Sequence, residues 1–425
     1  MSAERVFLRG GRQVHLSEPM IGQGAEGYVL SVKDQPRICA KLYIEPTDLH
    51  RTRIEALVEL PPADWSGDCA EHVHVAWPQA GLYDEEGKLV GFLMSRVAGI
   101  ALDNLFDHDT PQNHGLDDPS WRNRMVIASR VARLFAMLHE RQIVLGDIKP
   151  ANLVVDQHGH VTLLDCDSVQ FVDRRTGDVH KPTKFTPIYA PPELLSTQHA
   201  LLSGHHDTFG LAVLICRLLL GGDHPFEGVP TLGGGDTLEE NIRRNANRVT
   251  QPRSLVELTQ LPPPTLLPPP VYALLKKAFD DGRADPAHRP AAKTWQEVLH
   301  QAAGELTECR INSWHAYPPA AAACGWCAFV KQHGGPYYVG GPPPPPPPPV
   351  RVPVTSPVPD RGLLANSPPR SGPVPVQVYS PQPVPTTPVA PSSPKRKVPV
   401  GAVVVFAVLA VLAAVICVGV LSRAA

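Results

Sequence analysis

Short apolar runs open the chain. Residues 13–21 and 27–33 read as two strands joined by a glycine-rich turn, and Ile38 to Tyr43 reads as a third strand with one lysine in it, Lys41. Ala76-Trp77-Pro78 and Leu89 to Met94 read as further strands. Between them, residues 47–60 carry Ile54, Leu57 and Val58 on one stripe, the spacing of a helix that Thr47 or Asp48 can cap. Past a polar loop at 103–117 the period changes. Met125, Val126, Ala128, Val131, Leu134, Phe135 and Leu138 share one side of a long amphipathic helix over about 119–140. Two brief apolar runs, Leu153–Val155 and Val161–Leu164, flank a turn at His158-Gly159 and read as short strands. Helical patterns return at 208–220, 236–247, 269–280 and 291–303. The pattern ends with a low-complexity stretch, 341–399, and an uncharged apolar run from Val400 to Leu421.

Composition sharpens the two ends of this picture. The 425 residues suffice for one large domain with appendages. A net charge of −2 leaves no electrostatic footprint for a nucleic-acid partner. Much of the proline, 49 residues in all, lies in the late stretch, which begins with prolines throughout 342–349. Such a segment cannot bury enough surface to fold and is expected to be an extended, partly polyproline-II spacer; docking to an SH3-like module is the alternative use. The eight cysteines, at 39, 69, 166, 216, 309, 324, 327 and 417, are too scattered for a disulfide framework and suit a reducing compartment. Met1 to Gly10 carries charges and no apolar core, so no signal peptide is expected there. The run 400–421 matches the about 20 residues that span a bilayer. A buried soluble helix is the competing reading, disfavoured by the spacer before it. Lys395-Arg396-Lys397 precede the run and only Arg423 follows, so the positive-inside rule puts the body of the chain in the cytoplasm of a single-pass cell-membrane protein. Only Ser422 to Ala425 would emerge, which leaves no external sensor.

The candidate chemistry is concentrated in Val144 to Asn152 and in Asp165, just after the second short run. Phosphoryl transfer needs a carboxylate to orient a hydroxyl, a cation near the moving phosphoryl and oxygen ligands for magnesium. Asp147, Lys149, Asn152 and Asp165 supply that set.

Asp147-Ile-Lys149-Pro150-Ala-Asn152 resembles the catalytic loop of protein kinases, and the lysine two residues after the aspartate resembles the Ser/Thr kinases. The resemblance extends in order over about 12–303 and is closest in style to the eukaryotic-like Ser/Thr kinases of bacteria. It implies an α+β, two-lobed kinase-like fold, with an N-lobe of antiparallel sheet plus one helix over about 12–95 and a mostly helical C-lobe over about 100–303. It implies that Asp147 is the catalytic base, that Lys149 steadies the transferred phosphate, and that Asn152 and Asp165 hold Mg²⁺. Gly22-Gln-Gly24-Ala-Glu-Gly27 is weak as a motif alone, but a strand rather than a helix follows it, as in a kinase phosphate flap. Ile21, Gly22, Gly24, Gly27 and Val29 are then ATP-binding positions. Lys41 lies in a strand resembling Val-Ala-Ile-Lys and would contact the α- and β-phosphates. Glu55 is the expected partner of Lys41, with Glu59 as the rival, and Met94 opens the adenine-binding hinge.

Further along, Phe185-Thr186-Pro187 to Pro192-Glu193 resembles the segment that ends in Ala-Pro-Glu. It implies that Thr186 bridges Asp147 and Lys149, and that Glu193 pairs structurally with Arg289. Asp207 would anchor the catalytic-loop backbone, a role compatible with capping its own helix. Two departures stand out. Leu145-Gly146-Asp147 replaces His-Arg-Asp, which removes the arginine that normally answers a phosphorylated activation loop. Asp165-Cys166-Asp167 replaces Asp-Phe-Gly, which puts the usual flip of that segment in doubt.

Cys309, His315, Cys324 and Cys327, within 304–335, have the ligand types for one closed structural Zn²⁺ site, with His333 as a substitute. Unliganded thiols and a redox Cys-x-x-Cys are the alternatives. The expectation is an ATP- and Mg²⁺-dependent kinase acting on Ser/Thr of protein substrates, tethered to the membrane and carrying a small zinc knot. The rivals are a catalytically weak nucleotide-binding scaffold and a small-molecule phosphotransferase. The segment 186–193, a peptide-substrate platform in the family, disfavours the last.

Overall fold

The computed structural model describes residues 5–60, 72, 74–108, 115–196, 201–233, 237–256, 261–334 and 337. The proline-rich stretch 341–399 and the apolar run 400–421 lie outside the described residues. Among the described residues no helix is long and apolar enough to cross a membrane.

The N-terminal part is one curled antiparallel sheet of seven strands in the order β2-β1-β6-β7-β5-β4-β3. These are β1 Val6–Leu8, β2 Gln13–Val14, β3 Leu16–Gln23, β4 Gly27–Val32, β5 Gln35–Tyr43, β6 Ala80–Tyr83 and β7 Leu89–Ser95. The sheet therefore starts before the expected boundary at 12, because the hairpin β1–β2 adds its edge to β6. Alternation along β5 decides which side chains meet the rest of the molecule. Ala40 and Leu42 point to a small outer cluster with Val6, Val14, Val32, Leu82 and Leu93. Cys39 and Tyr43 point to the main core, and Lys41, in the same phase, goes with them.

Among the described residues this part has one helix, α1 (Asp48–Val58), which starts at Thr47, whose hydroxyl accepts from the His50 amide while the His50 ring receives the Thr47 amide. Its buried face is Arg53, Ile54, Ala56 and Leu57, an apolar stripe with an arginine set into it.

After β8 (Ile100–Ala101) the chain becomes helical. Ser120 caps α2 (Trp121–His139), which packs its apolar stripe on α4 (Gly204–Leu220) and α8 (Ala292–Glu305). The strands β9 (Leu153–Val155) and β10 (Val161–Leu163) form a tight hairpin beside it. The remaining helices are α3 (Pro192–Ser196), α5 (Leu238–Arg244), α6 (Pro269–Lys276) and α7 (Gly282–Ala284).

The cysteine-rich segment is docked rather than free-standing. Its helix α9 (Gly325–His333) inserts Trp326, fully buried, into the main core beside Trp121 and His108. The Trp121 amide donates to the Trp314 carbonyl at 2.9 Å, and Arg122 donates to the carbonyls of Ala303 and Leu306. The segment thus closes the end of α2 and α8. Trp326→Ala should cost about 3–5 kcal/mol of stability for the whole domain, read as a lowered midpoint of one urea transition. A separate early transition with an unchanged main midpoint would show an independent module.

Candidate active site

The loop 145–152 hangs on one buried carboxylate. Asp207, in the first turn of α4, accepts the amides of Leu145 at 2.8 Å and Gly146 at 2.9 Å, and His139 at 2.9 Å. His139 thus fixes the anchor from the end of α2. Gly146 has φ +72°, and a Cβ there would lie 2.4 Å from Pro182 Cγ. The sequence puts glycine where the family carries arginine because residue 182 packs against this backbone.

Asp147 is buried. Its Oδ1 accepts the Thr186 hydroxyl at 2.7 Å, and its Oδ2 pairs with Lys149 Nζ at 2.6 Å. Thr186 and Lys149 therefore converge on Asp147 from opposite oxygens. Asn152 ends a tight turn begun by Pro150, and its carbonyl accepts the Leu164 amide at 2.7 Å, which sets it beside Asp165. The Asn152 side-chain amide makes no hydrogen bond among the described residues. Asp165 has φ +54°, an uncommon conformation for an aspartate. Its side chain is 47% exposed, with one oxygen on Lys41 and the other open. An unpaired amide and a half-open carboxylate on adjacent backbone are a donor set that suits a hard divalent cation such as Mg²⁺.

Across from them, the turn 22–27 presents bare backbone. A Cβ on Gly22 would meet nothing and one on Gly24 only the Gly27 carbonyl, whereas one on Gly27 would strike the Leu42 carbonyl at 2.3 Å. Gly27 is thus required by close strand approach, and Gly22 and Gly24 leave room above the cleft. Ile21 is half-exposed on β3, and Val29 lies opposite Gly22 on β4. Met94 sits near the end of β7, its carbonyl facing the Cys39 thiol. Glu26, at the turn, pairs with Lys184 at 2.5 Å.

Lys41 is buried, and its Nζ lies 2.8 Å from Asp165 Oδ1 and 2.9 Å from both oxygens of Asp167. The Tyr43 hydroxyl donates to Asp167 Oδ2 at 2.6 Å. Burial disfavours the Lys41 ammonium, but Asp167 and Asp165 more than offset it and raise its pKa. Burial pushes the Asp167 carboxyl up, and Lys41 and Tyr43 overcome that and hold it below the usual carboxylate range.

Here an expectation fails. Glu55 does not reach Lys41; its carboxylate accepts the Tyr83 hydroxyl at 3.3 Å. Glu59, at the C-cap of α1, is exposed. Residues two apart on a helix point about 200° from each other, so burying Arg53 turns Glu55 away. Arg53 donates to the carbonyls of Asp167 and Val169, and to that of Lys181 at 3.0 Å. The helix holds the 167–181 backbone instead of the lysine.

Farther out, Arg289 grips Glu193 through two bonds of 2.5 and 2.8 Å and also donates to the His205 carbonyl. Cys309, His315, Cys324 and Cys327 bring their ligand atoms within 4.8 Å of one another. His333 is not in that cluster. The spacings are 3.5 Å for Cys309–Cys327, 3.4 Å for His315 Nδ1–Cys327 and 3.8 Å for His315 Nδ1–Cys324. A tetrahedral ion with bonds of about 2.0–2.3 Å spaces its ligands about 3.4–3.8 Å apart, so the residues fit zinc. His315 Nε2 faces the Tyr337 carbonyl at 3.4 Å, which leaves Nδ1 for the metal.

Sequence reasoning missed Asp167, Tyr43 and Arg53. The signal for Tyr43 was its i, i+2 spacing from Lys41 on a strand. The signal for Asp167 was a charge standing where the resemblance expects a glycine.

A protein kinase domain family model matches residues 17–301. The chain is 30% identical over 321 residues to Protein kinase YegI of Escherichia coli O157:H7, covering 73% of this chain and 48% of that protein. It is 29% identical over 337 residues to Protein kinase YegI of Escherichia coli strain K12, covering 77% and 50%. The chain spans about half the length of these curated relatives. Among solved structures, a rhoptry kinase from Toxoplasma gondii aligns with a TM-score of 0.47 at 18% identity, covering 71% of this chain and 83% of that one.

Gly146→Ala should destabilise the domain by about 1–3 kcal/mol, from the positive φ and the contact with Pro182, as read by thermal unfolding. An unchanged melting temperature would mean that Pro182 does not pack there.

Proposed function

The chain belongs to the protein kinase family, and from that premise we propose that it transfers the γ-phosphate of ATP to serine or threonine hydroxyls of protein substrates. The observation that carries this is Asp147 held between the Thr186 hydroxyl and the Lys149 ammonium. The acceptor hydroxyl loses its proton to Asp147 as its oxygen bonds the γ-phosphorus, the bond to the β–γ bridging oxygen breaks, and ADP leaves. Lys149 steadies the moving phosphoryl, Lys41 holds the α- and β-phosphates, and backbone amides of 22–27 cover them. Asn152 and Asp165 would hold Mg²⁺, which neutralises phosphate charge when bound. Thr186 next to the base is the feature that favours Ser/Thr over Tyr acceptors. In a labelled-ATP assay on the full chain, Asp147→Asn should lower transfer about 10²–10⁴-fold. Nucleotide binding without any transfer by the wild type would instead support the scaffold reading.

We assign a structural zinc ion to Cys309, His315, Cys324 and Cys327, on their spacing. Metal analysis of the purified chain should find zinc that is lost in the double variant Cys324→Ser, Cys327→Ser, with a lowered melting temperature because Trp326 lies between those ligands. A wild type free of metal would end this assignment.

We also propose that 400–421 anchors the protein in the cell membrane with the kinase domain on the cytoplasmic side and 341–399 as a spacer. Deleting 400–425 should move the protein from the membrane to the soluble fraction; retention in the membrane pellet would place the anchor elsewhere.

A further inference from the structure

We infer that Asp167, two residues past the proposed magnesium ligand, is the residue that positions Lys41 for the nucleotide phosphates, in place of a carboxylate on α1. The inference rests on the kinase reading above and adds to it a positioning residue. Lys41 needs a carboxylate to hold a buried ammonium at a fixed point. Glu55 and Glu59, the α1 carboxylates that could have served, are turned to Tyr83 and to solvent. Asp167 is fully engaged instead, with both oxygens at 2.9 Å from the amine.

The surroundings are built for this contact. Lys41 and Tyr43 project from the same face of β5, so one strand offers an ammonium and a hydroxyl to one carboxylate. The Asp167 side chain is 5% exposed while that of Asp165 is 47% exposed. The two carboxylates of Asp165-Cys166-Asp167 are thus divided, one open to the cleft and one closed around the lysine. Cys166 between them is buried, and the Ser168 hydroxyl donates to the Asp165 carbonyl at 3.1 Å, which fixes the turn. Arg53 holds the Asp167 carbonyl from behind. An ammonium has three N–H donors, and here one Asp165 oxygen and the two Asp167 oxygens take them; a phosphate would meet the donor now on Asp165, with the two on Asp167 kept.

The consequence is a rearranged dependence. The position of Lys41 is set by the same short turn that carries Asp165, so amine and proposed metal ligand are assembled together. The helix α1 acts on the pair only through Arg53 and the backbone at 167, 169 and 181.

The test uses the full chain, with Asp167→Asn, Tyr43→Phe and Glu55→Gln, and two readouts. The first is steady-state phosphotransfer at varied ATP and Mg²⁺. Asp167→Asn should lower kcat/KM for ATP about a hundredfold, the scale of a misplaced reacting group, with the Mg²⁺ requirement unchanged. Tyr43→Phe, which keeps the ion pair, should fold normally and give a smaller loss in the same direction. Glu55→Gln should match the wild type. The second readout is the rate of Lys41 acylation at fixed pH, followed by mass spectrometry without nucleotide. Asp167→Asn should speed it, since the amine loses two of the three oxygens that hold it in place, while Glu55→Gln leaves it alone. Should Asp167→Asn not fold, Tyr43→Phe decides by the same two readouts. Wild-type kinetics and acylation in the Asp167 and Tyr43 variants would overturn the inference. So would an equal loss in Glu55→Gln, or a raised Mg²⁺ requirement with unchanged acylation, which would make Asp167 a metal ligand. A wild type that transfers no phosphate would defeat the kinase reading, and the acylation arm would still decide this one.

Discussion

One buried ammonium holds the two lobes in register. Lys41 comes from the sheet, and its partners Asp165 and Asp167 come from the turn after β10. Taking a lysine out of water is costly unless opposite charge and hydrogen bonds replace the solvent. Here two carboxylates do so, and the Tyr43 hydroxyl completes the coordination of the deeper one. Neither lobe could bury its own half of this cluster alone. The arrangement of the site follows from that: the lysine is brought to the aspartate turn, and one oxygen of Asp165 is left open.

The parts of the site carried by neighbouring residues were legible in the sequence. Asp147, Lys149 and Asn152 lie within one short loop, and local backbone geometry alone places them together. The elements around them were legible too, since periodicity distinguishes β5 from α2 without any long-range knowledge. The burial of Arg53 on α1 was not. Reading apolar residues as the inward face gives Ile54, Leu57 and Val58, and Ile54 and Leu57 are indeed buried. Arg53 joins them because three backbone carbonyls on the facing segment satisfy its guanidinium. No pattern within 47–60 encodes carbonyls contributed by residues 167–181. The same limit applies to the cysteine segment. Its ligand types were readable, but the docking of Trp326 into the core beside Trp121 depends on a cavity formed by distant helices.

The departures from the family's triplets become intelligible as one set of changes. Gly146 leaves space that Pro182 fills, and its backbone hangs on Asp207. An arginine at 146 would have to displace Pro182 and adopt a conformation that side chains rarely take. Asp167, in the position of a glycine, gives the turn an inward charge and so ties it to Lys41. Each change removes a feature associated with movement of this segment and supplies a fixed contact.

Those contacts bear on what could regulate such a site. A phosphate switch works by adding charge that a waiting arginine answers. Here the position of that arginine is a glycine against a proline, and the segment from 167 to 181 is already held by Arg53 in α1. Order in the segment is therefore bound to the seating of one guanidinium among three carbonyls. Because each of those bonds is to backbone, the attachment does not depend on the side chains along 167–181, and α1 meets the aspartate turn through Arg53 rather than through the lysine.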